Sequence, residues 1–439
     1  MFIDQETVRD LEIFQTRDGK PGVFQALDLT RTPGGSRALR FRFENPMSDP
    51  ALIRQVQEGV SFLVSEEMEF GLDPVLIREV SAYVDSPWDV ASRARGLRFF
   101  LESTFVSLGY RDLFQHARAG VSATQKLISQ LLPFLERIAE RGPPSEVLRP
   151  VENLLALIDR LRLEKLRITR RPWTLARADR YLRVERKADF QRFFALLYDL
   201  DALMAMAAAM GEKGLVLPDL AEGPDFILEG EGVFHPFLRN PVGNPVKVTG
   251  ERGLVFLTGP NMAGKTTYLK ATAVTAFLAH LGMGVPAERF RFSPLDAVYS
   301  GLSPEENLRE GLSYFMAEVR RVRVIAEAVA SGMRSFVVFD EVFRGTNVMD
   351  ALDASRLVIR GFARCRTSGF IFSSHLVALA EDLNQESSVH FAFFDGKIQD
   401  HRALYDFRLK EGVSGQRFGL QLLEQEGIPG LLGSLEASH

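Results

Sequence analysis

The stretch that most constrains the fold runs from Gly253 to Lys270 and reads GLVFLTGPNMAGKTTYLK. An apolar run ends at Gly259, and a helical pattern begins after Gly264, which is typical of a strand joined to a helix by a tight glycine loop. Together with Lys265 and Thr266, these glycines fit the pattern G-x-x-x-x-G-K-[ST]. In such loops backbone N–H groups surround phosphate oxygens, the lysine reaches the β- and γ-phosphates, and the hydroxyl can bind Mg²⁺. The sequence therefore predicts an α/β domain with a nucleotide phosphate site.

Two further strands are predicted to end in residues that suit ATP hydrolysis. The run SFVVFDEVFRGTN places Asp340 and Glu341 directly after an apolar strand, 75 residues beyond Lys265. Asp340 is predicted to hold Mg²⁺, usually through a water, and Glu341 to orient or deprotonate the attacking water. The next strand, GFIFSS, ends at His375, whose imidazole could contact the γ-phosphate. A histidine after a strand is more often structural, so this role depends on its order behind the two preceding motifs.

That order of strand, Asp-Glu, helix, strand and His is similar to the order in ABC-type ATPases. Those enzymes also need a serine presented by a partner subunit. Ser313, in EGLSYFMAEV, is the candidate, because it precedes a predicted helix and could offer its hydroxyl and a positive helix end to a phosphate.

Composition excludes several classes of protein. With 439 residues, 46% of them apolar, the chain can form two or three domains. The net charge of −4 does not indicate a protein that binds nucleic acid over its whole surface, so any basic binding surface must be local. Cys365 is the only cysteine, which excludes an internal disulfide and a multi-cysteine metal site. The charged start, MFIDQETVRD, and the lack of an apolar run of about 18 residues predict a cytoplasmic protein without a membrane span.

The first half of the chain is predicted to be mainly helical. Thr7 could begin one helix and Ser36 a second, while Asp49-Pro50 begins a third. The apolar face of this third helix is predicted to contain Ile53, Val56, Val60 and Leu63. A helix from Phe190 to Met210 is predicted to close this half, before a glycine- and proline-rich boundary at residues 211–230.

Residues 111–192 are predicted to form long amphipathic helices that are rich in arginine. Between Ala156 and Arg192 the chain has twelve basic and five acidic residues, and Trp173 and Tyr181 lie among the arginines. This mix suits phosphate contacts combined with base stacking. The alternative is the solvated face of a helix pair whose aromatic side chains turn into the core. The candidate DNA contacts are Arg167, Arg170, Arg171, Arg177 and Arg180.

Several motifs together resemble the MutS family of DNA-repair ATPases. The motifs of the second half are GPNMAGKTTYLK, DEVFRGTN, EGLSYFMAEV and SSHLVAL. FIDQETVRDLEIFQ and ALDLTRTPGGSRALRFRFENPMSDP resemble the start of the family's core helical domain, and GVFHPFLRNP resembles its His-Pro segment. KEGVSGQRFGLQLLEQEGIP resembles its helical element that clasps the partner subunit. The resemblance covers residues 1 to about 110 and 226 to 430.

The resemblance implies a multidomain fold. A mainly α-helical amino-terminal half, with a core at residues 1–110 and lever helices at 111–225, is followed by an α/β P-loop ATPase domain of the ABC type. This domain, at residues 226–439, would include a carboxyl-terminal helical dimerisation element.

The resemblance also implies a Mg²⁺-dependent ATP hydrolase that forms a homodimer with two composite ATP sites. The implied catalytic residues are Lys265, Glu341 and His375, and the implied metal site has Thr266 and Asp340. The nucleotide would be held by Gly259, Pro260, Asn261, Met262, Ala263, Gly264, Lys265, Thr266 and Thr267, with Ser313 supplied by the other subunit. The implied function is binding of mismatched or structurally aberrant DNA in DNA repair.

Departures from the family pattern leave open what kind of DNA the protein binds. The chain begins at the core domain, so we expect no amino-terminal mismatch-reading domain with its Phe-x-Glu wedge and no connector. The lever region is short, so we expect no full clamp, and we expect no carboxyl-terminal Smr domain. Branched or otherwise distorted DNA is therefore an equal candidate. Phe343 stands where the family usually has a glycine, and Leu376 where an aromatic residue follows the histidine.

Two functions from other classes remain as alternatives. One is an ATP-driven clamp on a protein or ribonucleoprotein partner without mismatch recognition. The other is a transport-type ATPase subunit, which is disfavoured because the helical half precedes the ATPase motifs and contains no predicted membrane span.

Overall fold

A computed structural model describes residues 1–16, 18–68, 70–86, 97–162, 171–302, 314–399, 402–414, 427–429 and 431–432. The chain forms two compact units. We call Met1–Leu27, Asn45–Arg54 and Glu212–His439 the sheet unit, and Asp28–Glu44 and Gln55–Gly211 the helical unit. The finer division into three domains at residues 110 and 225 stays a prediction.

The chain begins in the sheet unit with strand β1 (Phe2–Ile3) and helices α1 (Gln5–Asp10) and α2 (Val23–Leu27). The prediction that Thr7 begins the first helix was wrong. Asp4 caps α1, because its carboxylate accepts the backbone N–H of Thr7 at 2.8 Å. Thr7 lies inside α1 and is fully buried.

Long helices form the helical unit, although residues 50–54 of α4 and 212–213 of α10 belong to the sheet unit. Their bounds are α3 (Pro33–Glu44), α4 (Pro50–Ser65), α5 (Pro74–Asp85), α6 (Leu97–Gly109), α7 (Arg111–Glu140), α8 (Ser145–Leu161), α9 (Pro172–Arg180) and α10 (Lys187–Lys213). A π-helical turn, Tyr181–Glu185, separates α9 from α10. Ser36 does not begin α3, because the helix already starts at Pro33. The predicted start of α4 is confirmed, and so is the burial of Ile53, Val56, Val60 and Leu63.

Helix α10 confirms the predicted helix from Phe190 to Met210. Among the described residues it is the one helix that is long and apolar enough to cross a membrane. Within the protein, 67% of its apolar stretch is buried, as expected for a core helix, which passes the same test of length and composition.

The rest of the chain builds the sheets. Its elements are β2 (Asp219–Leu220), β3 (Ile227–Val233), β4 (Asn244–Thr249), β5 (Leu254–Thr258), α11 (Lys265–Ala279), β6 (Arg289–Phe292), β7 (Ala297–Gly301), α12 (Tyr314–Ala330), β8 (Ser335–Asp340), α13 (Val348–Ala363), β9 (Gly369–Ser373), α14 (Val377–Leu383), β10 (Val389–Phe394), β11 (Lys397–Gln399), β12 (Arg402–Leu404) and β13 (Leu409–Glu411). The main sheet has the order β1-β7-β8-β9-β5-β10-β13, and its strands are parallel except for β13. A four-stranded sheet has the order β2-β6-β3-β4, and β11 pairs with β12.

Three adjacent strands of the main sheet, β8, β9 and β5, position the candidate site. Every residue of β5 and β9 is buried, which explains why these strands are uninterrupted apolar runs. Ser373, the last residue of β9, pairs with both Leu257 and Asp340 on the neighbouring strands. The carboxyl ends of all three strands therefore meet at one edge, where parallel sheets bind ligands.

A buried arginine fixes α1 to the main sheet. The guanidinium of Arg321, on α12, donates to the carbonyl of Ser300 at 2.6 Å, to the Asp4 carboxylate at 2.5 Å and to the Thr7 hydroxyl at 2.8 Å. The carboxylate of Asp10 accepts the Ser300 hydroxyl at 2.7 Å. Because these groups are all largely buried, the network holds the amino-terminal residues within the sheet unit.

Candidate functional site

The loop between β5 and α11 depends on two glycines. Gly259 has φ +140°, and a Cβ atom there would lie 2.6 Å from the carbonyl oxygen of Phe394. Gly264 has φ +105° and begins α11. Because side chains disfavour both conformations, the glycines allow a tight loop that ends at a helix amino terminus. The first N–H groups of such a helix have no partner within the helix and attract anions.

Lys265 lies at the start of α11 and is 5% exposed. Its ammonium group donates to the loop carbonyls of Gly259 at 2.9 Å and Pro260 at 3.1 Å. Burial lowers the pKa of Lys265, while the nearby carboxylates of Glu341 and Asp340 raise it. The ammonium group therefore lies inside the loop, with carbonyl partners that phosphate oxygens could replace.

Thr266 and Asp340 form a pair suited to a divalent cation. The Thr266 hydroxyl donates to Asp340 Oδ2 at 2.5 Å, although the two residues are 74 positions apart. Asp340 Oδ1 is buried and has no hydrogen-bond partner in the described part of the chain. Within that part, no group of three His, Cys, Asp or Glu residues could hold a metal alone. The pair fits Mg²⁺, which usually takes one or two protein oxygens and completes its shell with phosphate oxygens and water.

Glu341 contacts three basic side chains. Its Oε1 atom lies 2.5 Å from His375 Nε2 and 3.9 Å from the Lys265 ammonium, and its Oε2 atom forms an ion pair with Arg344. Burial alone would raise the pKa of Glu341, but the hydrogen bond from His375 and the charges of His375, Arg344 and Lys265 lower it below its usual value. The carboxylate is therefore ionised at neutral pH and can accept a proton from water.

A cavity of about 400 Å³ opens beside the loop. It is lined by loop residues, Glu341 and Arg344, together with apolar and aromatic side chains that include Phe407 and Leu238. The volume and this mixture of polar and apolar lining groups suit a nucleotide. Asn244, another lining residue, fixes the segment that carries Phe407: its side-chain amide donates to the Phe407 carbonyl at 2.9 Å and accepts the N–H of Leu409 at 2.7 Å.

Sequence reasoning missed Arg344, Phe407 and Asn244 as site residues. Arg344 could have been found from its position three residues after Glu341, close to the predicted site. Phe407 and Asn244 left no signal, because they are joined across 163 positions of the chain.

All nine predicted loop residues, Gly259 to Thr267, lie at the carboxyl end of β5. At the same edge, the Lys265 ammonium and the Thr266 hydroxyl of this loop meet two further predicted features, the Asp340–Glu341 pair and His375. Asn261 and Met262 are exposed and, with Thr267, line the cavity. Ser313 lies outside the described residues.

The arginines of the basic segment differ in exposure and in their contacts. Arg171 and Arg177 are exposed, and the Arg171 guanidinium lies 5.6 Å from the centre of the Trp173 ring. Arg180 is half-buried and lies 3.4 Å from Glu185. Further ion pairs in the segment are Arg160–Asp189, Arg183–Asp179 and Arg186–Asp189. Arg167 and Arg170 lie outside the described residues.

The aromatic residues of the segment make internal contacts. The ring of Trp173 packs edge-on against Phe100 at 5.6 Å, and the Tyr181 hydroxyl donates to the Leu161 carbonyl at 3.0 Å. These contacts favour packing over base stacking for both aromatic residues, and the exposed arginines remain as the candidate nucleic-acid contacts.

Comparison with known families identifies the chain. Residues 6–94 match the model of MutS domain III, and residues 255–434 match the model of MutS domain V. The chain belongs to the MutS family. This confirms the family predicted from the motifs, and the two matched ranges overlap both stretches on which the resemblance was based.

Two curated MutS proteins match nearly the whole chain. The DNA mismatch repair protein MutS of Aquifex pyrophilus is 25% identical over 97% of this chain, and that of Oleidesulfovibrio alaskensis is 24% identical over 98%. The chain spans about 60% of the length of each of these relatives.

Phe343 is where this MutS chain departs from the expected glycine. Its φ is +72°, a conformation that suits glycine and strains other residues. The side chain is only 3% exposed, and its ring lies 5.8 Å from that of Phe315 on α12. Apolar burial therefore offsets a backbone conformation that would otherwise favour glycine.

Proposed function

We propose that this protein is a Mg²⁺-dependent ATP hydrolase of the ABC type that acts as a homodimer and couples ATP turnover to binding of mismatched or structurally aberrant DNA. The observation that carries the ATPase part is the meeting of three strand ends: the glycine loop after β5, Asp340 and Glu341 at the end of β8, and His375 after β9. Family membership supports the DNA part, because two relatives are named DNA mismatch repair proteins.

In this proposal the groups at the strand ends have different roles. Lys265 exchanges its carbonyl partners for the β- and γ-phosphate oxygens, and the first N–H groups of α11 bind the same oxygens. Glu341 accepts a proton from the water that attacks the γ-phosphate, and His375 orients that carboxylate and contacts the phosphate region. Thr266 and Asp340 would hold Mg²⁺, which supplies electrostatic stabilisation of the phosphate charge when it is bound.

The ATPase part is tested by Glu341→Gln. The variant keeps the volume of the side chain but loses its proton-accepting charge, so we expect it to bind ATP like the wild type and to hydrolyse it slower by about two orders of magnitude or more. Fluorescent ATP-analogue binding and phosphate release measure the two steps separately. Glu327→Gln, an exposed glutamate on α12, is the control and should behave as wild type. Unchanged turnover by Glu341→Gln would refute the role of Glu341.

The DNA part is tested on the exposed arginines of the helical unit. We expect the double variant Arg171→Ala, Arg177→Ala to bind DNA more weakly and to reduce the slope of log affinity against log salt by about one for each lost phosphate contact. The assay compares mismatched, branched and homoduplex DNA with and without ATP. Arg323→Ala, which removes an exposed arginine in the sheet unit, is the control. Equal affinities and salt slopes for the double variant and the wild type would refute DNA contact by Arg171 and Arg177.

An ATP-driven clamp on a protein or ribonucleoprotein partner is the second candidate. The internal contacts of Trp173 and Tyr181 favour it, because these rings are engaged in packing. If the wild type binds none of the three DNA forms at low salt, with or without ATP, the second candidate replaces the first. For either candidate we propose a cytoplasmic location.

A further inference from the structure

The loop that follows β8 carries the carboxylate of Glu341 in an unfavourable backbone conformation. Glu341 has φ +51° and Phe343 has φ +72°, and neither residue is a glycine. Side chains rarely adopt such angles, which persist only when surrounding contacts hold them. Two such residues within three positions therefore require anchors on both sides of the loop.

The first anchor lies at the start of the loop. The backbone N–H of Glu341 donates to the carbonyl of Ser373 at 2.9 Å, directly after the last β8–β9 pair, Asp340 with Ser373. This bond fixes the backbone of Glu341 but leaves the following residues without support from the sheet.

The second anchor is Glu318 on α12. Its side chain is 3% exposed, and its two carboxylate oxygens accept the N–H groups of Arg344 and Gly345, each at 3.4 Å. Burial raises the pKa of Glu318, and its backbone hydrogen bonds from Gly345, Arg344 and Phe343 oppose that rise. The ring contact between Phe343 and Phe315 attaches the same loop to the same helix.

We propose that Glu318 is a positioning residue for Glu341: by binding the N–H groups of Arg344 and Gly345, it holds the loop so that the Glu341 carboxylate faces His375 and Lys265. The inference rests on the proposed role of Glu341 in hydrolysis. Glu318 is not among the described residues that line the 400 Å³ cavity, so it acts through the loop and not on the nucleotide. Its loss should therefore affect the chemical step and leave nucleotide binding unchanged.

The kinetic test compares Glu318→Ala and Glu318→Gln with the wild type. A carboxylate displaced by about an ångström loses rate steeply, so we expect kcat of the alanine variant to fall about tenfold or more, with nucleotide Kd within about twofold. Glutamine keeps one accepting oxygen and the side-chain volume, so its kcat should lie between those of the alanine variant and the wild type. Glu327→Ala on the same helix is the matched control, because that glutamate is exposed and pairs only with Arg323 in the described contacts.

A second measurement tests the anchor without relying on turnover. Hydrogen–deuterium exchange of the amides of residues 343–345 should be about tenfold faster in Glu318→Ala and faster by a smaller factor in Glu318→Gln, whereas exchange in β8 should stay at the wild-type rate. If the alanine variant does not fold, the glutamine variant carries both tests.

The outcomes separate this inference from the proposed function. Wild-type kcat in both Glu318 variants, or a fall in nucleotide affinity that matches the fall in kcat, would overturn the positioning role. Unchanged exchange at residues 343–345 would overturn it as well. If the wild-type protein hydrolyses no ATP, the proposed function fails, and faster exchange in the variants would still show that Glu318 anchors the loop.

Discussion

His280 makes the stability of the sheet unit depend on pH. The imidazole is fully buried at the end of α11, where its Nδ1 atom lies 2.7 Å from the Ala276 carbonyl and its Nε2 atom accepts the N–H of Leu295 at 2.8 Å. Since Nε2 is an acceptor, the ring is neutral. Burial lowers the pKa of His280 from its usual 6.5 to about 4. Between pH 6.5 and about 4, His280 is therefore protonated in the unfolded chain and neutral in the folded chain.

We expect the folded state to lose stability as the pH falls from about 6.5 to 4, and His280 should account for about 3 kcal/mol of that loss. His280→Gln keeps a donor and an acceptor but cannot titrate, so its unfolding midpoint should be lower at neutral pH and change less on acidification. Thermal denaturation between pH 4 and 8 measures both effects. The idea fails if His280→Gln and the wild type lose stability in parallel.

At the scale of elements, Arg321 attaches α1 to α12 and β7. Replacing it by alanine leaves the carboxylates of Asp4 and Glu6 without a buried cation, since both lie within 3.5 Å of its guanidinium. We expect Arg321→Ala to lower the free energy of unfolding by about 3 to 5 kcal/mol. Arg323→Ala removes an exposed arginine from the same helix and should change it by about 0.5 kcal/mol or less. Urea denaturation measures the free energy of unfolding of both variants. Equal denaturation midpoints for Arg321→Ala and Arg323→Ala would contradict a structural role for Arg321.

The elements that the sequence predicted well are those with a complete local pattern. Strands β5, β8 and β9 could be predicted because burial on both faces makes them continuous apolar runs, and the end of each run placed Gly259, Asp340 and His375 at one sheet edge. Strand β1 could not be predicted. It has two residues, Phe2 is half exposed, and its partner strand β7 begins at Ala297.

The same distinction applies within the candidate site. Lys265, Asp340 and Glu341 follow motifs that are contiguous in the chain, so their meeting was predictable. The contacts that support them are not contiguous: Glu318 binds the N–H of Arg344 across 26 positions. Such contacts depend on how helices pack on the sheet, and no local residue pattern encodes that packing.

At the scale of the whole molecule, the proposed composite site makes catalysis depend on a second copy of the chain. Lys265 and Glu341 belong to one subunit, and Ser313 is proposed to complete the site of the other. A subunit that lacks Lys265 can then still supply Ser313, and a subunit that lacks Ser313 can still supply Lys265. Two inactive variants should therefore form one intact site when they pair.

We expect Lys265→Ala and Ser313→Ala each to lose ATPase activity alone and to recover part of it when mixed. The mixed dimer has one site with both residues and one site with neither, so recovery should approach half of the wild-type activity per mixed dimer, because one of its two sites is intact. Phosphate release measured across mixing ratios tests this expectation. Mixing Lys265→Ala with the double variant Lys265→Ala, Ser313→Ala is the matched control, since no pairing of these chains contains Lys265. Recovery in the control, or none in the test mixture despite subunit exchange, would exclude completion of the site by the partner.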